Sequence, residues 1–287
     1  MSNLQDRLRK IQKQQDGLIE SKLKNKPKKM IHYSIPENLA DKGWESCGFL
    51  SLKRDIYMAS PLEKKTVLPK LLPVIVSDLA GRALPKIKDF LFFDLETTGL
   101  SRGHGTVAFL AAFGRFVPED KLKITQYLLL DYSGENDFLE AVLGEFKNKK
   151  SVIVTYNGKC FDSPILKTRC LVNRIKPPEY LHADLLYPAR RLWKKIISSC
   201  SQVSVETNIL GIDRDDDIPG ALAPEIWFEF LKTGRTDRLL GICDHNTADI
   251  SGLAKMLSAM ISIAQDPVYT EYRYDRSQIT TEIMNKS

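Results

Sequence analysis

No stretch of eighteen apolar residues occurs in this 287-residue chain, so the sequence offers no candidate membrane-spanning helix. Its opening residues, MSNLQDRLRKIQKQQ, hold no apolar core, and no secretory signal is expected. Cysteine is sparse: Cys47, Cys160, Cys170, Cys200 and Cys243 are odd in number, widely spaced and never in a CxxC pair. Neither a disulfide framework nor a zinc site is indicated, and reduced, mostly buried thiols are expected. These absences predict a soluble cytoplasmic protein with no membrane partner.

What is present is ordinary globular material. A hydrophobic content of 43% can bury a core over about one or two domains. Charge is uneven. Residues 1–30 carry nine Lys/Arg against Asp6, Asp16 and Glu20, which accounts for the whole net charge of +6. Such an arm is expected to be flexible, and it either attracts phosphates without regard to sequence or serves only as a solubilising tail. Residues 31–86 read as a small N-terminal region anchored by Trp44, Phe49, Leu50, Leu52, Ile56 and Tyr57. Pro61, Pro69 and Pro73 limit its helices, and it carries no recognisable chemistry. Residues 87–265 form the main domain, and 266–287 a C-terminal tail.

The chain is organised around FFDLETTGL, Phe92 to Leu100. An apolar run leads into Asp94, and Glu96 follows before Thr97, Thr98 and Gly99 break the strand. Side chains two apart on a strand share a face, so two carboxylates stand side by side at the end of a buried strand. Their repulsion calls for a hard divalent cation, and oxygen ligands suit Mg²⁺ or Mn²⁺.

A loop with Gly99, Gly103, His104 and Gly105 follows. The runs 107–116 and 122–132, joined by a polar turn, read as a hairpin. Residues 135–146 show helical spacing of Phe138, Leu139, Val142, Leu143 and Phe146. Val152 to Thr155 reads as a buried strand, Asn157 and Gly158 turn the chain, and Asp162 is a candidate N-cap of a helix over 163–173. As a cap it is structural; as a site residue it adds a third carboxylate. Leu239 to Ala264 reads as a long amphipathic helix on which His245 and Asp249, four apart, project together while Ile250, Leu253 and Leu257 face the core.

Between these lies a basic stretch, 167–195, with Lys167, Arg169, Arg174, Lys176, Arg190, Arg191, Lys194 and Lys195 against Glu179 and Asp184. Interleaved Tyr180, Tyr187 and Trp193 suit stacking on bases; snorkelling lysines over buried aromatics fit the same pattern. Asp213, Asp215, Asp216 and Asp217 lack the Gly and Glu offsets of a calcium loop and read as a solvated loop.

FFDLETTGL, NGKCFD (157–162) and HNTAD (245–249) together resemble the three ordered motifs of the DEDD 3′–5′ exonucleases, most closely the YprB-type ribonuclease H-like domain. TYNGKCFDSPILKTR, HADLLYPARRLWK, DDIPG and PEIWFEFLKTG extend the resemblance over roughly residues 88–262. It implies an α/β fold, a ribonuclease H-like mixed β-sheet flanked by helices with a small N-terminal segment preceding it. It further implies hydrolysis of DNA or RNA, single-stranded or with a free 3′ end, using two divalent ions, Mg²⁺ or Mn²⁺. On the family mechanism Asp94 bridges both ions, Glu96 and Asp249 complete the site of the water-activating ion, Asp162 supports the other, and His245 takes the proton from water, with Glu96 beside it as the second catalytic group. Thr97, Asn157, Arg190 and Arg191 are the expected substrate contacts, Asn157 also shaping its turn. One departure stands out. In the histidine subclass the histidine precedes the last aspartate by five positions; His245 precedes Asp249 by four, the spacing of the tyrosine subclass, which leaves open whether it acts as base or orients the water. A non-catalytic nucleic-acid-binding protein and a structure-specific endonuclease are the alternative readings.

Overall fold

The computed structural model describes residues 34–63, 65–99, 105–214 and 217–266. The basic arm, nearly all of the C-terminal tail, Gly103, His104, Asp215 and Asp216 lie outside the described residues. In chain order the elements are α1 (Glu37–Asp41), β1 (Glu45–Gly48), β2 (Ser51–Ala59), α2 (Leu72–Ile75), β3 (Phe90–Thr97), β4 (Ala108–Val117), β5 (Lys121–Leu129), α3 (Glu135–Gly144), β6 (Val152–Thr155), α4 (Asp162–Val172), β7 (Leu181–Asp184), α5 (Leu186–Trp193), α6 (Gln202–Leu210), α7 (Ala223–Thr233) and α8 (Asp237–Gln265). Among the described residues no helix is long and apolar enough to cross a membrane.

The strands form one mixed seven-stranded sheet in the order β1-β2-β5-β4-β3-β6-β7. From β1 to β3 the neighbours are antiparallel, whereas β3–β6 and β6–β7 are parallel. The expected hairpin is β4–β5, running from Leu110↔Leu128 to Val117↔Lys121. Residues set apart by sequence as a small N-terminal region supply β1 and β2, and β2 pairs with β5 along its whole length, Ser51↔Leu129 to Ala59↔Lys121.

Strand β3 lies inside the sheet with both faces covered, which is why it begins as an unbroken apolar run instead of alternating. Leu91, Phe93 and Leu95 join Phe109, Phe113, Phe138, Phe146 and Trp227 on one face. Phe90 and Phe92 join Ile124, Val154, Ile250, Leu253 and Leu257 on the other. The period of two then fixes the rest: Asp94 and Glu96 continue the row of Phe90 and Phe92, the row that faces α8.

Gly114, opposite Phe92 in the β3–β4 ladder, sets how closely α8 can approach. A β-carbon there would lie 2.5 Å from Ile250 Cγ2. Gly114→Ala is therefore expected to cost roughly 1–3 kcal/mol by overpacking. Urea denaturation measures this, and Ile250→Ala in the same background should return part of the loss, as contacting residues couple. A stability change independent of Ile250 would contradict this packing.

Candidate active site

Helix α8 packs on β3 through Ile250 and Leu253, so the turn just before them meets the polar end of the Phe90, Phe92, Asp94, Glu96 row. There Glu96, His245 and Asp249 each offer a ligand atom, all within 4.8 Å of one another. Glu96 and His245 are each only 9% exposed. His245 Nε2 stands 3.2 Å from Asp249 Oδ2, as the four-residue helical spacing anticipates. Asp94 is half-buried and its Oδ2 accepts a 2.7 Å hydrogen bond from Asn246 Nδ2. The β3–β4 register shifts between Glu96 and Thr97, an irregularity typical of site-bearing strand ends. Beyond it Thr97 Oγ1 donates to the Gly99 carbonyl at 2.9 Å.

The third acid arrives by another route. Asn157, with φ of +62°, reverses the chain after β6. Buried Asp184 holds this turn, Oδ1 accepting from the Asn157 N–H at 2.7 Å and Oδ2 from the Lys159 N–H at 3.0 Å. The cap reading of Asp162 is corrected: α4 begins at Asp162 itself, with Phe161 in the cap position and no side-chain cap bond. The reason is a nearer donor. The β3–β6 ladder ends at Phe92↔Val154, and beyond it the Leu95 N–H donates to Asp162 Oδ1 at 3.0 Å. Asp162 is thus tied to the strand bearing Asp94 and Glu96.

Burial dominates the electrostatics. It holds Asp94 well above the usual carboxylate range, reinforced by repulsion from Asp249, Asp162 and Glu96 and opposed by the Asn246 hydrogen bond. Burial raises Glu96 to about 8, with Asp249 and Asp162 adding and His245 opposing. Asp162 is pushed up to about 7, burial outweighing its N–H hydrogen bonds. For Asp249 burial is outweighed by His245 and Arg214, and its pKa is lowered. His245 is the reverse case: burial alone would lower it, but Asp249 and Asp217 lift it to about 10. Buried, mutually repelling oxygen donors around one imidazole fit a hard divalent cation, whose charge would relieve the repulsion.

Several neighbours escaped the sequence reading. The acidic loop is not uniformly solvated, because both Asp217 carboxylate oxygens lie 2.8 Å from His245 Nδ1. Arg214 explains why an acid turns inward here. Its Nη2 meets Asp249 Oδ1 at 2.8 Å, its Nη1 donates to Asp217 Oδ2 at 3.2 Å, and its Nε donates to buried Glu206 Oε2 at 2.6 Å. The local sequence carries one signal for this, a lone arginine embedded among aspartates.

A second set links the N-terminal strands to the site. Buried Arg54 on β2 donates from Nε to Gln126 Oε1 at 2.7 Å. Gln126 Nε2 donates to Asn246 Oδ1 at 2.9 Å, and Asn246 in turn donates to Asp94. Arginine cannot accept a hydrogen bond, so it sets the direction of the whole relay and ends it with a donor on Asp94.

The basic stretch divides. Arg169 is buried, its Nε donating to Glu135 Oε1 at 2.5 Å. Tyr180 stacks on Phe146 with centroids 5.1 Å apart, and Trp193 lies in the core. Of the three aromatics only Tyr187 is exposed, at 44%, with Lys159 Nζ 5.7 Å from its ring centroid. Arg190 and Arg191 are exposed on α5, and Arg191 donates to the Ile75 carbonyl.

A family model described as the RNase_H superfamily matches residues 91–261. The uncharacterized protein YprB of Bacillus subtilis (strain 168) is 42% identical over 171 residues, 58% of this chain and 41% of that protein, so the match spans less than half of the relative's length. Among solved structures, the family B DNA polymerase of the hyperthermophilic archaeon Pyrobaculum calidifontis aligns at 15% identity and a TM-score of 0.49, covering 63% of this chain and 25% of that one. The zinc-bound E. coli ExoI–ssDNA complex aligns at 16% identity and a TM-score of 0.44, covering 65% and 42%. With a mixed seven-stranded sheet flanked by helices and a family match over most of its described residues, the chain belongs to the RNase_H superfamily.

Proposed function

We propose that this protein is a metal-dependent 3′–5′ exonuclease that hydrolyses phosphodiester bonds of DNA or RNA. The reading is carried by one observation: Glu96, His245 and Asp249 offer ligand atoms within 4.8 Å of one another, while Asp162 is tied to β3 through the Leu95 N–H and repels Asp94 together with Glu96 and Asp249. Asp94, whose carboxylate is repelled by each of the other three, would be shared between the ions. Glu96 and Asp249 would help to hold one ion and Asp162 the other. Two divalent ions bound there would supply charge stabilisation for the entering and leaving oxygens. The protein's own residues do the rest. His245, with Glu96 beside it, accepts the proton of the attacking water. The Arg214 guanidinium holds Asp249 ionised, and the Asn246 relay holds Asp94 in orientation.

Substrate reaches this site past Thr97 and the Asn157 turn, with phosphates on Arg190 and Arg191. Changing both arginines to alanine is expected to weaken nucleic-acid binding similarly for all sequences and to lower the slope of log affinity against log salt by about 1–2. Arg191 also holds the Ile75 carbonyl, so Arg190→Ala alone separates phosphate contact from tethering. An unchanged salt slope would assign both arginines to a solvated surface.

The activity itself is tested with purified protein and Mn²⁺ on 5′-labelled single-stranded DNA and RNA bearing free or blocked 3′ ends. The expected result is stepwise shortening from the free 3′ end, arrested by the block and abolished by chelator. Internal cleavage of blocked strands would replace the reading with an endonuclease, and binding without hydrolysis would leave only a nucleic-acid-binding protein.

A further inference from the structure

The stretch 217–220 brings a residue to the imidazole that the four-acid site does not require. We propose that Asp217 is the positioning residue of His245, fixing the ring through Nδ1 so that Nε2 faces the side of the site where Glu96 and Asp249 converge. The proposal rests on the nuclease reading and deepens it.

The geometry has three parts. Both Asp217 oxygens stand 2.8 Å from Nδ1, and a carboxylate can only accept, so the Nδ1–H is the donor and Nε2 is left facing Asp249. A carboxylate on the far nitrogen sets tautomer and ring orientation in this way wherever an imidazole must accept a proton. Asp217 is itself held: Arg214 donates to it from Nη1, and that guanidinium is anchored on Glu206, which is 1% exposed. The chain then passes close to the other edge, for a β-carbon on Gly220 would lie 2.8 Å from His245 Nε2. The ring is therefore held by a carboxylate at one edge, and the glycine leaves no room for a side chain at the other.

This arrangement also answers the spacing of His245 and Asp249. Four positions apart, the two side chains sit on one helix face with Nε2 3.2 Å from Asp249 Oδ2, and the imidazole would otherwise be free to serve Asp249 through either nitrogen. Asp217, delivered from a separate loop, occupies Nδ1 and settles which nitrogen remains.

The test uses the full chain with Mn²⁺ on single-stranded DNA, comparing Asp217→Ala, Asp217→Asn, His245→Ala and the double variant Asp217→Ala/His245→Ala. Asp217→Ala is expected to lower kcat roughly 10- to 100-fold, the usual effect of losing such a partner, with KM little changed. Asp217→Asn keeps an acceptor of the same size and should recover part of that loss. The double variant should be no slower than His245→Ala, because Asp217 acts only through the ring. Losses that simply add would overturn the proposal. A second readout does not depend on activity: the ¹⁵N–¹H ring resonance of the Nδ1–H, assigned by its absence in His245→Ala, should be present in the metal-free wild type and absent in Asp217→Ala. Its persistence in Asp217→Ala would equally overturn the positioning role. If the wild type hydrolyses no oligonucleotide, the nuclease reading falls, and the ring resonance alone decides whether Asp217 orients His245.

Discussion

Asp94→Asn is expected to remove metal-dependent hydrolysis, by roughly 10³-fold or more, while making the metal-free protein more stable near neutral pH. The activity loss follows from its place among the acids, since Asp249, Asp162 and Glu96 all repel this carboxylate and the charge stabilisation that bound ions would supply is worth several kcal/mol. The fold survives because asparagine is isosteric and its oxygen can still accept from Asn246. The stability gain has a definite pH dependence. Glu96 and Asp162, at about 8 and 7, have folded-state pKa values raised above the unfolded carboxylate range. Raised carboxylates bind protons more tightly in the folded state, so their contribution is fully present below about pH 4 and is lost as pH rises through 7 and 8. The metal-free wild type should therefore lose thermal stability between about pH 5 and 8. Asp94→Asn, which removes one repelling charge from the set, should lose less. Hydrolysis by the variant within a few-fold of wild type would remove Asp94 from the centre of the site.

His245→Ala is expected to lower kcat by roughly 10² to 10⁴, the contribution of a positioned general base, with Mn²⁺ affinity little changed. If the ring is the base, His245→Tyr does not restore turnover, and the acid limb of the wild-type pH profile disappears in both variants. Against the effect of burial, Asp249 and Asp217 hold the imidazole at about 10 in the metal-free protein. Cations held by Glu96 and Asp249 would offset charges that raise it, so the acid limb should move to lower pH with metal bound. Retention of much of the activity by His245→Tyr would instead make residue 245 an orienter of water.

How much of this was legible beforehand divides along physical lines. The central strand, the hairpin β4–β5 and helix α8 follow from local pattern, because an apolar run, alternation around a polar turn and a 3.6-residue period are properties of short stretches. Asp94, Glu96, His245 and Asp249 could be grouped in pairs for the same reason, each pair lying on one element. The contribution of residues 45–59 to the sheet was not legible, since β2 pairs with β5 some seventy residues later and nothing local announces that register. Asp217 was hidden for a similar reason: in sequence it is one aspartate of an acidic loop, and only Arg214 and the ring of His245, brought there by α8, turn it inward. Asp162 looked like a helix cap because local rules favour an acid at that position; the Leu95 N–H left beyond the end of β6 is a tertiary donor that outcompetes it.

The central claim, that these acids are a divalent-metal site, is tested most directly by titrating Mn²⁺ into metal-free protein while following heat and thermal stability. Saturable binding with a rise in Tm in the wild type, both greatly reduced in Asp94→Asn, is the predicted result. A wild type whose heat signal and Tm are indifferent to Mn²⁺ would contradict it.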